Sequence, residues 1–217
     1  MRHTVPGRAG AATLLLVAGL AGGAQGQGRA AENVGFENQI IEEMNLARTD
    51  PAGYARILRE QIPRFDGKVL RRPGQIAIRT VEGAPAVVEA AAILDTLTPM
   101  GPLTRSAGLA RAAREHVRDQ GPTGGMEHRG SDGSTPAVRA DRNGTWDILL
   151  SENISFGAPT AREVVTQLII DDGVPGRGHR RNLLNPEARV AGVACGPHRT
   201  YRIMCVIDYA GSYVERK

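Results

Sequence analysis

Two histidines and three carboxylates stand apart from the scattered charges of this chain. His128 lies in Met126-Glu127-His128-Arg129-Gly130-Ser131-Asp132-Gly133, Glu152 in Ser151-Glu152-Asn153-Ile154, and His179 in Gly178-His179-Arg180, shortly after Asp171 and Asp172. All sit beside turn residues instead of inside apolar periodicity, where binding and catalytic groups concentrate. Neutral imidazole nitrogens suit Zn²⁺ or another borderline divalent cation at roughly 2.0–2.1 Å. Carboxylates can ligate such an ion directly or accept hydrogen bonds from the ring N–H groups. The same groups around a bound water are what a metal-assisted hydrolase uses, with an acid as general base. A buried hydrogen-bond network that only fixes loops is a third use. His128 and His179 are 51 positions apart, so spacing alone does not bring them together. There is no HExxH pattern, and Ser131 and Ser151 read as turn and cap residues, not nucleophiles.

The elements that must position these residues follow from periodicity. Phe36, Ile40, Met44 and Ala47 recur at helical spacing with Glu42 and Glu43 opposite, and the helix should stop before Asp50-Pro51. Pro51 then opens a second helix carrying Tyr54, Ile57 and Leu58. From Pro63 to Pro85 the pattern weakens into a basic, Gly- and Pro-containing stretch, read as an exposed insertion of solvated loop around one short strand-like run, Gln75 to Ile78. A short helix is expected over Ala86 to Leu97, a break at Pro99 to Pro102, and a further helix over Leu103 to Gln120 with His116 on its apolar stripe as a satisfied core or rim histidine. Asp141 to Leu150 reads as connecting segment, with Trp146 a packing anchor. Thr160-Ala161-Arg162-Glu163 is a capping-box pattern ahead of Val164, Val165, Leu168 and Ile169. That helix ends at Asp171-Asp172, where two acids face the negative end of the helix dipole at about 0.3–1 kcal/mol each, so local compensation is expected. A single helical turn over Arg180 to Leu184 and two strands, Arg189 to Cys195 and Thr200 to Tyr209, complete the chain. Long helices first and strands last argue for an α+β fold with antiparallel pairing.

The ends and the composition narrow the context. Arg2 and Arg8, the apolar run Ala11 to Leu20 and the small residues before Gly26 form a secretory signal peptide over residues 1–26, since the apolar run is about half of what spans a bilayer. A short linker at 27–35, one domain at 36–212 and a tail at 213–217 follow, the mature part being long enough for a real core. Losing two arginines and no acid takes the net charge from +4 to +2. With aromatic residues at 4%, that balance does not point to nucleic acid. No later segment is apolar enough for a transmembrane helix. The expected product is secreted or periplasmic and monomeric. Its two cysteines, Cys195 and Cys205, flank a turn-like segment between β-prone runs, so a hairpin in an oxidising compartment would pair them as a disulfide; two buried free thiols are the other reading.

Five segments in order carry a resemblance. Ile40 to Leu58, Leu109 to His116, Met126 to Pro136, Ser151-Glu152-Asn153-Ile154 and Gly178-His179-Arg180-Arg181-Asn182-Leu183-Leu184-Asn185-Pro186 are similar to the CAP superfamily of cysteine-rich secretory, antigen 5 and pathogenesis-related proteins, also called SCP-domain proteins, in its bacterial form. The resemblance covers about residues 36–212, with 63–85 outside the common pattern. It implies a three-layer α-β-α sandwich with a central antiparallel sheet, and a cleft of two histidines and two acids. Carried over by position, these are His128, His179, Glu152 and Asp172, with Asp171 as the rival for the last place. It further implies metal held by the histidines with the acids supporting, and an extracellular binding module whose ligand is a sterol, a fatty acid or a surface partner. A metal-dependent peptidase or esterase using the same cleft is the alternative. Here Ser151 stands where the family has glycine, and an aspartate where animal and plant members have glutamate.

Overall fold

The computed structural model describes residues 22–216, with side chains from Val34 onward. The leader expected over residues 1–26 therefore lies outside the described residues up to residue 21. Helix α1 runs Gly22–Thr49, so the backbone is helical through 27–35, where a linker was expected. Asp50 accepts from the Gly53 N–H and caps α2, Pro51–Arg59, with Pro51 in its first turn. After a 3₁₀ turn at Ile62–Arg64, the segment at 63–85 forms a small antiparallel sheet of β1 (Phe65–Asp66), β2 (Val69–Leu70) and β3 (Ile78–Arg79). Then come α3 (Ala84–Thr96), β4 (Thr104–Arg105), and α4 (Ala107–Thr123), capped by Ser106 and stopped by Gly124 at φ 80. Left-handed backbone at a helix end is the position that glycine fills without steric cost.

The segment expected as a connection over Asp141 to Leu150 is instead the end of α5 (Pro136–Asn143) and the first half of the long strand β5 (Gly144–Phe156). Its sequence hides this because the ladder to its partner is interrupted between Asp147 and Leu150, where Ile148 turns to φ 73 and side-chain alternation breaks. Then follow α6 (Ala161–Ile170), α7 (Gly178–Leu183), β6 (Val190–His198) and β7 (Arg202–Glu215). The main sheet has the order β4-β6-β7-β5, antiparallel except for the two-residue parallel pair β4–β6. Cys195 and Cys205 are register partners in the β6–β7 hairpin and form a disulfide.

Alternation along the strands separates two cores. Val193, Cys195, Cys205, Ile207 and Tyr209 face α1, α2, α3 and α6, against Ile40, Met44, Leu58, Leu94, Val165 and Ile169. Ile154, Ala194, Met204 and Val206 face Ala113 and Val117 of α4, and Ala210 faces Leu109 and Ala140 of α5. The helices thus cover both faces of the sheet as the sandwich requires. Trp146 packs beside the Leu109 group, as expected of an anchor.

Candidate functional site

β5 is an edge strand of the main sheet, and the two histidine–acid pairs are tied to it from opposite faces. Glu152 points to the α4 face, as does its neighbour two along, Ile154, while Asn153 points to the other. Beneath α4, His116 is fully buried and its Nε2–H donates to the Glu127 carbonyl at 2.7 Å. His116 is the core histidine expected of that stripe but is only half satisfied: Nε2 ties down the loop one residue before His128, Nδ1 has no partner among the described residues, and burial lowers its pKa. The His128 ring then donates through Nδ1–H to Glu152 Oε1 at 2.7 Å. Glu152 has a side chain only 1% exposed and takes a second bond from Arg139 Nη2 at 2.6 Å, itself 2% exposed. Arg139 also donates to the Ser134 and His128 carbonyls, so one guanidinium clamps the acid and the loop together.

On the other face the acid that serves His179 is Asp171. Asp171 closes α6 in a left-handed conformation at φ 55, and the chain turns back so that its carboxylate lies at the start of α7. There it accepts from the backbone N–H groups of His179 (2.9 Å) and Arg180 (3.3 Å) and from His179 Nδ1–H (2.7 Å). This is the compensation expected at the end of α6: an acid unfavourable at one helix C-terminus is favourable at the N-terminus of the next. Arg180 and Arg177 add cations there, donating to the carbonyls of Ile169, Ile170 and Asp171. Placing Asp172 in the cleft is corrected. Its carboxylate faces away and accepts from the N–H groups of Val81 (2.6 Å) and Glu82 (2.8 Å).

Those bonds also tie down the C-terminal end of the stretch 63–85, which is largely exposed. Glu82 pairs with Arg177 and accepts from the Gly173 N–H, and these donors hold its pKa down at about 2. In its middle Arg72 and Gln75 both donate to Glu163 Oε1. The capping box at Thr160 is therefore half formed: Thr160 accepts from Glu163 N–H at 3.2 Å, but the Glu163 carboxylate is engaged by the insertion. Ile76 stays largely exposed at its tip.

Asparagines join the two halves of the site. Asn153 Nδ2 donates to the His179 carbonyl at 3.0 Å and to Tyr209 Oη at 3.2 Å, and Asn182 Nδ2 donates to Asn153 Oδ1 at 2.9 Å and to the Glu152 carbonyl at 3.3 Å. The helix bearing His179 is thereby stitched to the strand residue that holds His128. Both dyads use Nδ1 for the acid, so Nε2 is the nitrogen each ring offers outward. His128 is 53% exposed and His179 27%. The hydrogen bond to Glu152 raises the pKa of His128 against the opposing effect of burial.

Two imidazoles with carboxylate-fixed tautomers fit a divalent ion chemically, because a neutral ring whose Nδ1–H is engaged by an acid presents a lone pair at Nε2. The acids are fully used in this orienting role. Among the described residues no three His, Cys, Asp or Glu side chains converge as a metal-ligand set. Two surface hollows, of 510 and 280 Å³, lie elsewhere: one is lined by Arg111, Arg142, Asn143 and Arg216, the other by residues including Gln61, Arg72 and Glu163. Sequence reasoning assigned no role to Arg139, Asn153 or Asn182. The last two lie inside quoted motifs, which was the available signal, whereas nothing marks Arg139 among 27 lysines and arginines.

A family model described as the cysteine-rich secretory protein family, CAP, matches residues 44–209. No curated protein matches the chain. Among solved structures it is similar to an extracellular SCP-domain protein from Bacillus anthracis, at 18% identity over 58% of this chain and 37% of that one, TM-score 0.42. It is also similar to an outer surface protein of Borrelia burgdorferi, at 20% identity over 54% and 80%, TM-score 0.42. A third is a cysteine-rich secretory protein from Staphylococcus aureus, at 14% identity over 70% and 48%, TM-score 0.40. The chain thus spans little more than a third of the first of these proteins. Among the described residues no helix is long and apolar enough to cross a membrane.

Proposed function

The chain belongs to the cysteine-rich secretory protein (CAP) family, and on that premise we propose that it is an exported binding module whose two histidine–acid dyads hold a divalent cation at the edge of the sheet. The observation that carries this reading is the pair of Nδ1–carboxylate bonds of 2.7 Å, each made by an acid no more than 2% exposed. Acids so buried, orienting rings so exposed, are the usual second layer behind metal-ligating histidines. His128 and His179 would ligate through Nε2. Glu152 and Asp171 would fix the tautomers, with Arg139 holding Glu152 and the N-terminus of α7 holding Asp171. A bound Zn²⁺ would supply a Lewis-acidic point at which an oxygen or nitrogen donor of a ligand docks.

The test is metal content after dialysis, together with thermal shift on added Zn²⁺, for the wild type and the His128→Ala/His179→Ala variant. The wild type is expected to retain metal and rise in melting temperature, and the double variant to do neither. Equal response in both, or none in either, would leave the dyads as a structural network.

A further inference from the structure

A third carboxyl group lies beneath the His128 dyad. Asp208, on β7, has no exposure to solvent. It stands directly opposite Glu152 in the β5–β7 register, so both side chains rise from the face covered by α4. On its other side the register partner is Gly192, where even a methyl group would overlap the α4 backbone at Leu109 and Ala110. The helix therefore lies directly on the sheet at this row and shuts Asp208 in.

The donors distinguish the two acids. Glu152 receives N–H bonds from His128 and Arg139, whereas neither oxygen of Asp208 has a donor. The two carboxyl groups are nevertheless direct cross-strand neighbours on one face of the sheet, the spacing at which facing side chains meet. An ionised Asp208 would be a buried charge without a partner, next to a second charge of the same sign. A proton on Asp208 removes that charge and turns the group into a donor. We propose that Asp208 is a positioning residue of the cleft, a neutral acid whose O–H donates to Glu152 and completes a three-donor clamp that keeps the carboxylate under His128. The surrounding charges agree. Burial first, then Glu152 on β5 and Glu115 on α4, push Asp208 well above the usual carboxylate range, and Arg139 on α5 pulls only part of the way back.

The inference rests on the two-dyad reading of the cleft, but its test needs no metal. Chelator-treated full chain is labelled with ¹³C and ¹⁵N, and the Asp208 Cγ resonance is assigned by its loss in Asp208→Asn. It is expected at the neutral-acid position from about pH 5 to about pH 8, where ordinary aspartates are ionised. A Cγ that titrates with the ordinary aspartates, near about pH 4, overturns the proposal. The His128 ring tautomer is then read at a pH where the ring is neutral. The wild type and Asp208→Asn, which keeps a neutral donor, should hold the Nδ1–H form, and Asp208→Ala should shift toward Nε2–H. An unchanged tautomer in Asp208→Ala overturns the positioning role. If Asp208→Ala does not fold, the Cγ titration and the tautomer in Asp208→Asn decide. Loss of the Zn²⁺ response in the wild type would sink the metal reading and leave these results standing.

Discussion

Arg48 offers the sharpest test of how the site is held. It lies near the C-terminal end of α1 with its side chain buried, and among the described residues no carboxylate pairs with it. Instead its guanidinium donates to four carbonyls: Gly101 (3.0 Å), Leu183 (2.8 Å), Asn185 (2.9 Å) and Ala188 (2.8 Å). Three of these close α7 and the turn after it, so α1 braces the helix that carries His179. Arg48→Met keeps the length and removes the donors. The Leu183 and Ala188 bonds are wholly buried, and a buried carbonyl that loses its donor costs about 1–3 kcal/mol. Two such losses come to about 2–6 kcal/mol. Against this stands the relief of a desolvated cation, visible in the lowered pKa of Arg48. A net destabilisation of about 3 kcal/mol follows, or a fall of about 6–12 °C in the melting temperature of a domain this size. Calorimetry and urea unfolding with an unchanged m-value would measure it. Arg48→Lys should lie between, since an ammonium lacks the planar fork that reaches several carbonyls at once. A methionine variant within about 1 kcal/mol of wild type would refute the argument that these bonds brace α7.

Asp171→Asn should weaken Zn²⁺ binding by about 10–100-fold by releasing His179, while Asp172→Asn leaves it unchanged and loosens only the insertion; titration calorimetry on the two variants separates them. Glu82 sets a pH dependence. Its folded pKa, about 2, lies below its unfolded value of about 4.3, so its contribution is complete above the latter and disappears as pH falls toward the former. The protection of the Gly173 amide, which donates to Glu82, measured as its exchange rate relative to the intrinsic rate at each pH, should therefore fall across that window and stay constant in Glu82→Gln. Reduction of Cys195–Cys205, which closes a short loop in a hairpin already in register, should cost about 2–3 kcal/mol without unfolding the chain, as unfolding curves with and without reductant will show.

How much of this could be read from residues alone depended on whether the signal was local. The helix over Val164 to Ile169 announces itself by periodicity and by Thr160, and the hairpin by two β-prone runs around a turn. The half of β5 before Leu150 does not, because an edge strand with an irregularity at Ile148 has no clean alternation to detect. His128, His179 and Glu152 were legible through motifs whose spatial meeting came only from the family resemblance. The choice between Asp171 and Asp172 was not legible at all. The residues are adjacent and chemically identical, and what separates them is one left-handed backbone conformation that points one carboxylate at α7 and the other at Val81. The buried arginines were equally invisible. Arg48, Arg139 and Arg180 each bind several distant carbonyls or an acid, and a chain with many interspersed arginines gives no sign of which ones turn inward.

The position of the two dyads on opposite faces of β5 makes the cleft a pair of unequal jaws. The His128 jaw is founded on the sheet through Glu152 and roofed by α4 and α5. The His179 jaw rides on a six-residue helix and the turn Asp171 to Arg177, and that turn is also the mooring for Asp172 and Glu82 contacts with the insertion. Among the described residues the insertion is thus bonded to the turn that orients His179, while His128 is held by Glu152 and its own loop by Arg139, both independently of it.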